Sequence, residues 1–173
     1  MRSAGIAFSV VPAGVTESDD DAVGLTKLVT INARAKALEV AARYPDAVVL
    51  GADTLVWLGG RALGKPGDHN EARRMLRELS GQTHEVATGV HLVRMNPRRQ
   101  VEFHEITRVR FRPLGGDVIE EYLATVDVLD KAGAYALQEN GELLVETVEG
   151  SRSNVVGLPL ERTMAALAQD FGC

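Results

Sequence analysis

The stretch that decides the fold runs from Val48 to Pro66 and reads VVLGADTLVWLGGRALGKP. It opens on Val48-Val49-Leu50, a short apolar run rich in β-branched residues, which reads as a buried strand. Gly51-Ala52 narrow the backbone, and Asp53-Thr54 put a carboxylate and a hydroxyl where that strand is expected to end. In open α/β sheets the carboxyl ends of strands border the ligand crevice, so an acid there is a candidate site residue. A second apolar run, Leu55 to Leu58, closes at Gly59-Gly60, which reads as a turn. Lys65 follows twelve residues after Asp53, between Gly64 and Pro66. A carboxylate and an ammonium brought together by a hairpin-like fold suit a ligand made of metal and phosphate.

Upstream, residues from about Ala22 to Tyr44 are helical in pattern. Leu28, Ile31, Ala35, Leu38 and Ala42 recur at three and four residues and form one apolar stripe. Lys36 lies one residue off that stripe, where a lysine taken alone is a snorkelling stem. Pro45-Asp46 ends the helix. Before it, Gly5 to Val11 reads as a strand stopping at Pro12. The acids Asp19 to Asp21 suit a helix N-terminus. Glu17, nearer the strand end, is retained as a candidate metal ligand.

Downstream, Gly59 to Lys65 matches GxxxxGK, but Pro66 replaces the Ser or Thr that would bind magnesium, so a P-loop NTPase is rejected. Lys65 can still meet phosphate as a point charge. Asp68 caps a short helix that buries Ala72, Met75, Leu76 and Leu79, with Glu71 as its capping-box acid. Thr83 to Met95 and Val101 to Phe111 form a long hairpin about Asn96-Pro97, and its histidines, His84 and His104, read as structural. Gly116-Asp117 starts a helix with Ile119, Tyr122 and Leu123 inward. Leu143-Leu144-Val145 reads as a strand. Gly150 to Gly157 has the composition of a phosphate-cradling loop, a weak signal. Leu160, Met164, Leu167 and Phe171 give a closing helix. There is no GxSxG elbow, which excludes a serine hydrolase of the α/β class.

At 173 residues the chain suits one domain with a sizeable core. A formal charge of −5 argues against nucleic acid over a broad surface, so any phosphate contact must be local. The single cysteine, Cys173, leaves no internal disulfide and suits a reducing compartment. No run has the length of a transmembrane helix, and no signal-peptide core is present. The expectation is a cytoplasmic protein with no membrane or nucleic-acid partner, its oligomeric state open, a homodimer being one assembly.

Four stretches together resemble the Maf family of nucleoside triphosphate pyrophosphatases. They are Gly51-Ala52-Asp53-Thr54, then Gly64-Lys65-Pro66, then Leu79-Ser80-Gly81 with His84-Glu85-Val86-Ala87-Thr88-Gly89. The last is Asp130-Lys131-Ala132-Gly133-Ala134-Tyr135, continued by Asn154-Val155-Val156-Gly157-Leu158-Pro159-Leu160. The order and spacing make the set specific from about Gly5 to the last helix. The resemblance implies a mixed α/β fold, an elongated sheet with flanking helices and two lobes around a nucleotide cleft, like that of inosine triphosphatases. It implies hydrolysis of a nucleoside triphosphate to the monophosphate and pyrophosphate with a divalent cation, Mg²⁺ or Mn²⁺. Asp53 falls where the family has its proton acceptor, and Thr54 and Gln138 where it has specificity positions. Lys65, Lys36 and Glu17 fall on phosphate-contacting lysines and an additional acid, and Lys131 of the DKAGAY motif adds a substrate-facing cation. The DKAGAY-x-x-Q pattern is similar to that of members acting on dTTP and UTP, rather than 7-methyl-GTP.

One departure bears on activity. The family begins with a strand, a Ser-x-Ser-Pro-Arg-Arg loop and a helix, whereas this sequence starts at Met1-Arg2-Ser3-Ala4-Gly5, where that helix would be ending. That loop would supply backbone donors and arginines for the triphosphate, and Arg2 is not a substitute the spacing supports. Residues 1–173 thus read as a single domain, N-terminally truncated relative to the family. The start lies upstream, or the form is shortened and impaired. On the sequence reading, water attacks the α-phosphorus, Glu17 and Asp53 hold the cation or Asp53 takes the proton, and Lys65 and Lys36 neutralise the phosphates. The rival is a catalytically impaired nucleotide-binding or regulatory protein with the same cleft.

Overall fold

The computed structural model describes residues 5–172. Arg2, its neighbours in Met1 to Ala4, and Cys173 lie outside the described residues, and with them the readings placed there. The elements are α1 (Leu25–Arg43), β1 (Val49–Leu58), β2 (Arg61–Leu63), α2 (His69–Leu79), β3 (Thr83–Met95) and β4 (Arg98–Phe111). They continue with α3 (Gly116–Thr125), β5 (Val145–Glu149), α4 (Arg152–Val155) and α5 (Leu160–Ala166). The five strands form one sheet in the order β2-β1-β3-β4-β5, with every neighbouring pair antiparallel. Among the described residues no helix is long and apolar enough to cross a membrane.

The stretch read as two apolar runs around a strand end is one ten-residue strand. Asp53 therefore sits in the middle of β1, opposite Gly89 of β3, and not at a carboxyl end. The reason is that Gly51 does not break the strand; it makes room for a helix. A Cβ at Gly51 would lie 2.3 Å from the Ala33 carbonyl oxygen, and one at Gly89 would lie 2.4 Å from that of Val29. α1 therefore rests on the sheet backbone at these two points, and its buried positions include Val29, Ala33, Ala37 and Ala41. The stripe expected through Ile31, Ala35, Leu38 and Ala42 is displaced accordingly, and Ile31 is exposed. Close approach to bare backbone selects the face with small side chains over the one with the larger apolar ones.

The opposite face of the sheet carries the main core. Val56, Val86 and Phe111 pack there against Leu76 and Leu79 of α2 and Ile119 and Tyr122 of α3. A second cluster joins Val90, Leu92 and Phe103 to Leu167 and Phe171 at the C-terminal end. The Asp68 cap, which accepts from Glu71 N at 2.8 Å, and the β3–β4 hairpin stand as expected.

Two expected strands differ. Residues 6–20 carry no regular secondary structure, because no strand edge pairs with them; Phe8 and Val10 stay exposed. This segment is held by single ties instead, such as Arg43 Nη2 donating to Pro12 O at 3.1 Å. The strand expected at Leu143 begins only at Val145, since Gly141–Leu143 closes a 3₁₀ turn first.

Candidate active site

β2 covers β1 only from Val56 to Leu58, so the earlier part of that edge opens into a cleft of about 840 Å³. Every residue expected at the site lines it: Glu17, Lys36, Asp53, Thr54, Lys65, Lys131 and Gln138. The alternation of β1 sends Asp53 toward α1 and Thr54 to the other face. Thr54 Oγ1 shares a 2.8 Å hydrogen bond with Thr88 Oγ1 and donates to the Gly157 carbonyl at 3.3 Å. The far wall is the loop around Gly133, whose N–H donates to Gly64 O at 3.0 Å and so ties the Lys65 turn to the DKAGAY segment. Gly133 takes φ +68, and a Cβ there would press on Val56 at 3.0 Å, so both conformation and packing call for glycine.

The charged centre is compact. Lys36 Nζ lies 2.7 Å from Asp53 Oδ1 and 2.9 Å from Glu17 Oε1. Asp53 is buried, and burial pushes its carboxyl above the ordinary value, against the opposing pull of Lys36 and Asn32. For Lys36, burial favours the neutral amine, but the two carboxylates outweigh it and hold the ammonium above its ordinary range. Glu17 is raised by its partial burial and lowered more by Lys36, ending below the usual carboxylate range. Lys131 is paired with Asp130 at 2.8 Å and Glu139 at 3.4 Å. The cleft thus offers carboxylates and three lysines around one space, an arrangement suited to an anion carrying several charges and its counterion.

Glu17 and Asp53 are the two carboxylates that would hold a cation here, both drawn to Lys36 Nζ. Among the described residues no three His, Cys, Asp or Glu side chains converge on one point. Two carboxylates on a common centre still fit Mg²⁺, which is usually held by one or two carboxylates together with water and substrate phosphates.

The sequence reading missed Asn32, a buried polar residue of α1 whose amide reaches Asp53 at 3.1 Å. The signal was its position one helical turn before Lys36. The Gly150–Gly157 segment is a capped turn: Ser151 accepts from Asn154 N, and Asn154 Nδ2 donates to Val86 O and Thr107 Oγ1, both at 3.0 Å. The Asn154 amide nitrogen thus ties the segment to the sheet. His84 is structural as expected, sharing a 2.8 Å hydrogen bond with the Tyr135 hydroxyl and stacking edge-on to Phe111. His104 lies on the exposed face of β4.

Fold and cleft together define an α/β protein with a mixed-charge cleft at the open edge of an antiparallel sheet. The chain belongs to the Maf family: the pattern of the Maf-like proteins matches residues 1–170. It is 48% identical over 164 residues to the dTTP/UTP pyrophosphatase of Moorella thermoacetica, covering 95% of this chain and 84% of that protein. The dTTP/UTP pyrophosphatase of Symbiobacterium thermophilum is 46% identical over 172 residues, 99% of this chain and 87% of that protein. That of Akkermansia muciniphila is 43% identical over 167 residues, with 96% and 87% covered.

Proposed function

We propose that this protein hydrolyses dTTP- and UTP-type nucleoside triphosphates to the monophosphate and pyrophosphate. The observation that carries the reading is the convergence of Glu17, Lys36 and Asp53 in a cleft whose other walls hold Lys65, Lys131 and Gln138. Relatives that share more than two fifths of the sequence act, by name, on those two nucleotides.

In this reading water attacks the α-phosphorus, the bond to the bridging oxygen breaks, and pyrophosphate leaves. Asp53 takes the proton of the water; a buried carboxyl raised by its surroundings is a stronger base than a free one. Lys36 keeps that carboxylate oriented, and Lys65 and Lys131 offset charge on the phosphates. Thr54 and Gln138 contact the base side of the ligand, where an amide can both donate and accept toward a pyrimidine edge. Glu17 and Asp53 would hold a Mg²⁺ or Mn²⁺ ion, which when bound polarises the phosphate oxygens. We place the protein in the cytoplasm, from its one cysteine in 173 residues.

The test is pyrophosphate release from dTTP, UTP, CTP and 7-methyl-GTP with Mg²⁺ or Mn²⁺. Release from dTTP and UTP well above the other two is expected. Calorimetric binding of nucleotide by the folded protein, with no pyrophosphate under either metal, would instead make it a nucleotide-binding member of the family.

A further inference from the structure

Asn32 is the only polar residue among the buried positions of α1. A buried amide is costly unless its hydrogen bonds are made, and these are. Its Oδ1 accepts the Ser18 N–H at 2.8 Å, and its Nδ2 donates to the Ser18 carbonyl at 3.0 Å and to Asp53 Oδ2 at 3.1 Å. The three contacts admit one orientation of the amide. Turned over, Oδ1 would face the Ser18 carbonyl and the Asp53 carboxylate, acceptor against acceptor.

Two consequences follow from this geometry. Residues 6–20 have no ladder or helix, so Asn32 supplies at Ser18 the pair of hydrogen bonds that a neighbouring strand would give. Glu17 is the adjacent residue, and its place beside Lys36 is set by that tie. Meanwhile both oxygens of Asp53 are committed to donors one turn apart on α1, Oδ2 to Asn32 and Oδ1 to Lys36. Two donors on one rigid helix determine the plane of a carboxylate, which a single ion pair does not.

We infer that Asn32 is a positioning residue: its amide holds the Glu17 segment and the Asp53 carboxylate in one fixed arrangement. The inference rests on the proposed pyrophosphatase reading for its effect on turnover, and on the structure alone for the tie to Ser18.

The experiment compares Asn32→Leu, which keeps the branched skeleton without the polar atoms, with Asn32→Asp, which keeps the shape but replaces the donor by a second carboxylate. Turnover of dTTP is measured beside thermal unfolding and amide hydrogen exchange at Ser18. We expect kcat to fall on the order of tenfold or more in Asn32→Leu, the usual cost of removing an orienting partner, and further in Asn32→Asp. KM should change less than kcat, and the Ser18 amide should exchange faster in folded Asn32→Leu, where its acceptor is gone. A packing role predicts the reverse order, with the isosteric Asp the milder change. Wild-type kcat in either folded variant, the reversed order, or unchanged Ser18 exchange in Asn32→Leu would overturn the inference. If one variant does not fold, the other decides by its own readouts, and Asn32→Ser replaces both if neither folds. A wild-type protein that releases no pyrophosphate would sink the functional reading, and Ser18 exchange in Asn32→Leu would still decide the tie.

Discussion

At the scale of single residues, the cleft places unequal demands on Asp53 and Glu17. Asp53 is only 6% exposed and is oriented by two donors, whereas Glu17 is half exposed and held by Lys36. Desolvated, oriented carboxylates suit proton transfer, and a solvated one suits a shared cation. Asp53→Asn is therefore expected to lower kcat by about 10²- to 10⁴-fold, the range for losing a general base. KM for dTTP should move far less, and unfolding should stay cooperative because Lys36 keeps Glu17 as its partner. Steady-state pyrophosphate release gives the answer, and turnover near wild type would remove Asp53 from the chemistry. Asp53 and Lys65 were legible in the sequence because their motifs carry them, and Glu17 and Lys36 through the family resemblance. Asn32 was not, since its one local signal, a turn before Lys36, gains meaning only once its neighbours in space are known.

At the scale of elements, the site depends on how closely α1 lies on the sheet. Asn32 and Lys36 reach Asp53 only because Gly51 and Gly89 have no side chain beneath the helix. Gly51→Ala would put a methyl 2.3 Å from Ala33 O and 2.7 Å from Ala37 N, both backbone atoms that can yield only by lifting α1. Overpacking of this kind costs about 3 kcal/mol. Gly14→Ala, with nothing within 4 Å, is the control and should be near neutral. Urea unfolding of the two variants measures the difference, and equal midpoints would show that the helix adjusts freely. The helix itself was legible from its periodicity, but its buried face was not. Alanines score weakly in a hydrophobic pattern and win here because two glycines face them.

At the scale of the whole molecule, one buried histidine links stability to pH. Burial lowers the His84 imidazole from 6.5 to about 4. It stays neutral between β3 and the DKAGAY segment, bonded to Tyr135. As pH falls below 6.5 the unfolded chain takes up this proton before the folded one does. The stability contributed by neutral His84 is thus complete above 6.5 and is lost progressively on the way down to about 4. The loss at the lower end is roughly 3 kcal/mol. Urea unfolding of wild type and His84→Gln, at about pH 7 and about pH 4.5, isolates it. The wild type should lose more stability over that interval, and equal losses would exclude His84 as the source.

The sequence by itself determined the family, the α/β class, the long hairpin, most helices and the side chains that line the cleft. Those properties reside in local periodicity and in motifs whose spacing is preserved along the chain. Only the tertiary structure decided that Asp53 stands mid-strand, that β1 is continuous through Gly51, and that Glu17, Lys36 and Asp53 share one centre. Residues 6–20 likewise stay without a ladder although their pattern reads as a strand, because a strand exists only where another edge accepts its hydrogen bonds. Pairing, close approach and charge neutralisation all join residues far apart in sequence, and no local pattern encodes them.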